Sequence, residues 1–351
     1  MAQPESPFTD PKTKLIASLP KAELHLHMEG SMEPPTVVDL AARYGDTITD
    51  ADVAARYATP DFAAFIQAYL WATSYLRAPQ DYGLVARRLA EQLQAQNVVY
   101  AEVTLSIGVM LLRKQDVAAN FQAIREATTP FEPGLRMQWI FDTVRQFGPA
   151  PAWDVARCAV EMMGESVVAY GIGGDELSIP AAEFRPVYDF VASKGLHRVA
   201  HAGEIGGPEE IWGAIEHMGA ERIGHGIAAF RDPKLMAFLT ERSIPIEVCP
   251  TSNVRTGALA RQFGTPRATI DQHPLPALLR AGVPLSLSTD DPAMFETNLR
   301  HEYDAVAGMG LSTAEIVRIA EAGFSGALLP PEEKAALLSQ FRSRAAALGL
   351  I

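Results

Sequence analysis

The chain has 351 residues, 48% of them hydrophobic, and a formal net charge of −12. That length can bury a large core, and the acidity argues against nucleic acid, whose phosphates call for a basic face. Only two cysteines are present, Cys158 and Cys249, far apart; they form no disulfide framework and favour a reducing compartment. The opening "MAQPESPFTDPKTKLIASLP" has prolines and acids where a signal peptide needs an apolar stretch, and no uncharged apolar run approaches the ~18 residues of a membrane span. The expectation is a soluble, cytoplasmic protein with neither nucleic acid nor membrane as partner. Oligomeric state is not legible in the sequence.

The first strand-like run is "AELHLHM" (22–28). A strand sends alternate side chains to opposite faces, so His25 and His27 point one way and Leu24 and Leu26 the other. Residues 29–97 follow, too long for one crossover, with helical patterns such as "PDFAAFIQAYLWATSYLR" (60–77) and "QDYGLVARRLAEQLQA" (80–95). This segment reads as a helical insertion lying over the C-terminal face of the sheet. Its aromatics Phe62, Phe65, Tyr69 and Trp71 either wall a pocket or pack the insertion's own core.

Further apolar, β-rich runs come in order: "VVYAEVTLS" (98–106), "RMQWIFDTV" (136–144), "SVVAYGIGGDE" (166–176), "HRVAHAGE" (197–204), "RIGHGI" (222–227), "IPIEVCP" (244–250) and "PLSLSTDD" (284–291). Helical spacing separates most of them, as in "HPLPALLRAG" (273–282), and helices close the chain over 307–351, with a possible capping box at Ser312 and Glu315. Eight strands alternating with helices predict a (β/α)₈ TIM barrel forming a single domain over 1–351.

Polar residues gather at the C-terminal end of each run, where this fold keeps its chemistry: His27, Ser106, Asp142, Glu176, His201, Glu204, His225, Asp290 and Asp291. Polar strand ends alone would explain one or two of these, but not so many His, Asp and Glu. A lone "HLH" is more often a satisfied core pair than a metal site. The barrel, however, closes strand eight onto strand one. His25, His27 and Asp290 would then meet, with His201 facing them across the mouth. Three neutral imidazoles and a carboxylate suit one Zn²⁺; divalent iron or manganese has the same ligand taste. Such a metal makes hydroxide near neutral pH. Glu204, three residues past His201, is placed as the proton donor, and His225 as the group that orients the water or as mere structural support. Asp291 adjoins a ligand and would accept a hydrogen bond from substrate.

Taken in order, "LPKAELHLHMEGS", "HAGE", "RIGHG", "CPTSN" and "STDDP" resemble the adenosine deaminase family of the amidohydrolase superfamily, over nearly the whole chain. The resemblance implies a (β/α)₈ barrel with one zinc per chain that hydrolyses the 6-amino group of a purine. It implies His25, His27, His201 and Asp290 as zinc ligands, Glu204 as the acid at ring N1, and His225 beside the attacking hydroxide. Asp291 would bind N7, and the backbone of Gly174 would approach N3. The implied substrate is adenosine or deoxyadenosine, with 6-aminodeoxyfutalosine and adenine as alternatives; a non-catalytic binding protein on the same barrel is a remote one.

Two positions depart from the family pattern. Glu29 stands where adenosine-specific members carry an Asp that contacts the sugar, and Gly171 stands where many relatives carry an acid. No lysine ends the fourth run, which disfavours a two-metal site bridged by a modified lysine. "HAGE" and the single cysteine of "CPTSN" do not match the cytidine-type zinc motif.

Overall fold

The computed structural model describes residues 16–351; the signal-peptide reading falls largely on residues 1–15 and lies to that extent outside the described residues. The eight strands are β1 (Lys21–His27), β2 (Val98–Leu105), β3 (Arg136–Val144), β4 (Val167–Gly173), β5 (His197–Ala202), β6 (Arg222–His225), β7 (Ile246–Val248) and β8 (Leu285–Leu287). All neighbours are parallel and follow sequence order. The ring closes through Leu26, which bridges to Asp290. There the His27 N–H donates to the Asp290 carbonyl at 2.8 Å and the Asp290 N–H to the His25 carbonyl at 3.0 Å. This is the (β/α)₈ barrel, and each of the eight expected runs supplies one strand. Prolines at 245 and 250 bracket β7 and hold it to three residues.

The alternation in β1 works as the period of two demands. His25 and His27 face the barrel axis. Leu24 turns outward and is fully buried, near Gly326. The helix Thr313–Ser325 crosses β1 closely: a Cβ on Gly323 would lie 3.0 Å from the Ala22 carbonyl. That helix opens with the capping box expected from its spacing. The Glu315 N–H donates to the Ser312 hydroxyl at 3.2 Å, and the Ser312 N–H donates back to the Glu315 carboxylate at 2.8 Å.

The segment after β1 forms four helices, α1 (Pro34–Arg43), α2 (Asp50–Tyr57), α3 (Phe62–Thr73) and α4 (Pro79–Ala95). Asp61 starts α3 by accepting the Ala64 N–H at 2.9 Å. Phe62, Phe65, Ile66 and Tyr69, spaced three and four apart, share one face of α3 and line the cavity at the barrel mouth. Trp71 lies off that face. It packs edge-on to Tyr75 at 5.7 Å and under the Arg56 guanidinium at 4.7 Å. The insertion therefore divides its aromatics between the pocket and its own packing. Among the described residues, no helix is long and apolar enough to cross a membrane, and Cys158 and Cys249 are free thiols.

Candidate metal and catalytic site

His25, His27, His201 and Asp290 each turn one ligand atom to a common point at the C-terminal end of the barrel, all within 4.8 Å of one another. His27 Nε2 lies 3.2 Å from His201 Nε2, and Asp290 Oδ1 lies 3.4 Å from both His25 Nε2 and His27 Nε2. Four ligands at zinc's bond lengths of about 2.0–2.1 Å sit about 3.4 Å apart on a tetrahedron. These three edges match that spacing. His25 Nε2 is also buried without a hydrogen-bond partner, which an ion would relieve. The donor set fits a zinc-like ion.

The other ring nitrogens are committed. His201 Nδ1 lies 3.0 Å from the Ile172 carbonyl, and His25 Nδ1 lies 2.9 Å from Glu247 Oε2. Such outer partners fix ring orientation. Behind Glu247 the charges continue. Arg222 Nε pairs with its second oxygen, and Arg222 Nη1 lies 2.6 Å from Glu102, which also accepts the Tyr100 hydroxyl and the Leu328 N–H at 2.6 Å each. Ser252 donates to Asp290 Oδ2 at 2.7 Å. Sequence reasoning did not reach Glu102, Arg222, Glu247 or Ser252. The available signal was a charge within apolar strands, "VVYAEVTL" and "IEV", a pattern that a solvated edge strand also produces.

His225 and Asp290 hold left-handed backbone, φ +60° and +65°, as each chain turns out of its strand. Such conformations cost roughly 1–3 kcal/mol in non-glycine residues and cluster at functional sites. His225 Nε2 lies 3.7 Å from Glu204 Oε2 and 3.9 Å from Asp290 Oδ2. Glu204 is carried on a turn that Glu176 braces: the Gly203 and Gly206 N–H groups both donate to the Glu176 carboxylate at 2.6 Å. Glu176 thus shapes the site from behind and is not on the cavity wall. Asp291 explains the glycine of "HMEGS". Its Oδ1 lies only 1.8 Å from where a Cβ on Gly30 would stand, and it has no hydrogen-bond partner.

Gly174 lines the cavity at φ +93°, and a Cβ there would meet Gln146 Oε1 at 2.3 Å. Glu29 sits one layer back. Its Oε1 accepts the Ser106 N–H at 3.0 Å, while Ser106 Oγ and the Tyr69 hydroxyl, 2.7 Å apart, face the cavity. Gly171 also acquires a physical reason. A Cβ there would lie 2.7 Å from Asp142 Oδ1, so the volume a β4 side chain would take is filled by the β3 acid.

Burial pushes Glu204 well above the usual carboxylate range, with the Asp290 charge adding to it. Asp291 rises for the same two reasons. Burial also raises Asp142 well above that range and brings Glu29 up to about 7. Burial lowers His27 and His201 to about 3, leaving neutral rings with lone pairs to offer. His25 differs: burial would lower it, but the Asp290 and Glu247 carboxylates on either side of the ring outweigh that and raise it to about 10 without metal. A metal must displace this proton. Uptake by the metal-free protein is therefore expected to release about one proton, and affinity to rise about ten-fold per pH unit up to that value. Calorimetry in buffers of different ionisation enthalpy measures the release; a pH-independent affinity between pH 6 and 9 would contradict it.

The cavity over these groups holds about 230 Å³. Its far wall is apolar, with Phe62, Phe65, Leu70, Val109, Val144 and Phe147, and among the described residues no lysine or arginine lines it. Leu70 and Leu112 at the mouth are 38% and 64% exposed.

A family model described as adenosine deaminase matches residues 20–344. The aminodeoxyfutalosine deaminase of Streptomyces coelicolor is 39% identical over 95% of this chain and 86% of its own. The adenosine deaminase of Pectobacterium atrosepticum is 33% identical over 94% and 98%. Among solved structures, an adenine deaminase from Arthrobacter aurescens superposes with a TM-score of 0.84 at 26% identity, covering 93% of this chain and 99% of that one.

Proposed function

The chain belongs to the adenosine deaminase family and is a hydrolase acting on a purine amino group; from that premise we propose that its substrate is aminodeoxyfutalosine, an adenine nucleoside lengthened at the 5′ end by a carboxyphenyl ketone. The observation that carries this reading is the apolar far wall, with exposed Leu70 and Leu112 continuing it outward. An aryl extension would cover that surface, while a 5′-hydroxyl alone would leave it wet. The relative from Streptomyces coelicolor supports the same choice.

In this reading zinc, held by His25, His27, His201 and Asp290, supplies the nucleophilic hydroxide near neutral pH. The chain's own groups do the rest. Glu204, protonated in its buried place, donates to ring N1 as C6 is attacked. Asp291, whose carboxyl is raised by burial and by the Asp290 charge, donates to N7, an acceptor, where the sequence suggested that Asp291 would accept. Gly174 gives the ring edge room that a side chain would take. His225 stands beside the attacking oxygen. Ser106 and Tyr69 face the sugar, with Glu29 behind them setting their positions. The free thiols agree with a cytoplasmic enzyme.

Ammonia release from aminodeoxyfutalosine, adenosine, deoxyadenosine, methylthioadenosine and adenine is the test. Aminodeoxyfutalosine is expected to lead in kcat/KM, with methylthioadenosine, the other substrate with an apolar 5′ group, ahead of adenosine. Each buried methylene is worth about 0.8 kcal/mol, so an aryl group should separate the ends of the series by 10²-fold or more. If adenosine leads, the apolar wall serves another purpose and the family's namesake activity is the function; if adenine leads, no sugar subsite exists.

A further inference from the structure

"CPTSN" carries an asparagine, and "HPLP" a histidine, that the reaction described above does not use. Both are sealed in the barrel beside the site: Asn253 is fully buried, His273 is 3% exposed and His225 1%. They form one chain. The Leu275 N–H lies 3.1 Å from His273 Nδ1, His273 Nε2 lies 3.2 Å from Asn253 Oδ1, and Asn253 Nδ2 lies 3.0 Å from His225 Nδ1.

The direction of this chain can be worked out from its outer end. A backbone N–H only donates, so His273 Nδ1 must accept. Leu275 opens the helix Leu275–Arg280, and its amide is one of the donors a helix N-terminus leaves without an intrahelical acceptor. Burial lowers His273 to about 3, so its ring is neutral and carries its single proton on Nε2. That proton requires the oxygen of the Asn253 amide, which turns the NH₂ toward His225. An amide nitrogen only donates, so His225 Nδ1 must accept. The one proton of a neutral His225 then sits on Nε2, the nitrogen facing Glu204 and Asp290. The opposite tautomer would set an N–H against an NH₂ in a space without water.

We infer that Asn253 and His273 are positioning residues that lock His225 in its Nε2–H tautomer, making His225 a hydrogen-bond donor to the attacking oxygen and not the base that takes its proton. The inference rests on the reading of His225 as the neighbour of that oxygen, but not on which 6-aminopurine is the substrate. An imidazole pre-aimed as a donor stabilises the charge that gathers on oxygen as C6 becomes tetrahedral. A helix-terminal amide fixes its polarity three hydrogen bonds away.

Nitrogen NMR of the zinc-loaded protein, with labelled histidine, reads the tautomer directly. Nε2 of His225 is expected to carry the proton; a protonated Nδ1 with bare Nε2 overturns the proposal. Substitution gives an independent reading. Asn253→Asp keeps the size but reverses the polarity, since a carboxylate calls for the proton on Nδ1. Imposing the wrong tautomer on a catalytic imidazole costs up to about 10⁴-fold in rate. Asn253→Asp should lose about 10²–10⁴-fold in kcat with KM little changed, retain zinc, and shift the proton of His225 to Nδ1. Asn253→Ala, which frees the ring to sample both tautomers, should lose less. A packing role predicts the reverse order, because aspartate fits and alanine leaves a hole, and that order would overturn the proposal. Should either variant fail to fold, the wild-type spectrum decides alone. Failure of wild-type protein to turn over aminodeoxyfutalosine, with another 6-aminopurine deaminated instead, would fall on the substrate reading and leave this test intact.

Discussion

Glu204→Gln is expected to keep its metal and fold and to lose turnover by about 10²–10⁴-fold, the usual worth of a placed general acid. The reason is local. Glu204 sits in a buried pocket beside Asp290, on a turn whose shape Glu176 sets, and both the burial and that charge favour its protonated form. Glutamine has the same size and still donates from its NH₂, but it cannot release a proton to ring N1. Lost kcat with KM near normal identifies a group needed only in the transition state. Loss of metal from Glu204→Gln, or near-normal turnover, would show that the acid lies elsewhere.

Removing the metal has the larger effect on rate. Water's pKa of about 15.7 falls to about 7 on zinc. The metal-free protein is therefore expected to show no deamination above background and to recover with one equivalent of zinc per chain. Stability should follow. A ligand at a thousand times its Kd adds about 4.1 kcal/mol, so stripping should lower Tm by several degrees. Without metal, His27 and His201 place neutral nitrogens 3.2 Å apart, a contact that needs either a shared proton or an ion. Elemental analysis should give close to one metal per chain. Two metals, or full occupancy after His25→Ala plus His201→Ala, would refute the site.

Sequence alone determined the strand count, the direction of the barrel and which histidines and acids gather at its C-terminal end. Strand periodicity is local, and in "AELHLHM" it puts both histidines on one face whatever follows. The rule that parallel strands need crossovers then orders the strands, and the ring closure between β8 and β1 brings Asp290 to His25 and His27. Even the half-and-half fate of the α3 aromatics was within reach, since Phe62, Phe65 and Tyr69 share a helical face and Trp71 does not.

Tertiary structure alone decided which neighbours each of these groups has. Nothing near Glu29 in sequence says that Ser106 stands between it and the cavity, because Ser106 arrives from β2, 77 residues on. The glycine at 171 has no meaning along β4; it acquires one only when Asp142 from β3 fills the same space. Glu247 and Arg222 read as stray charges until the barrel stacks them under His25. The polarity of His225 depends on a helix-terminal amide 50 residues downstream, acting through Asn253 and His273. Periodicity governs which way a side chain points. Its pKa, its tautomer and the room it has are set by atoms brought in from other strands, through short-range forces that a one-dimensional pattern does not record.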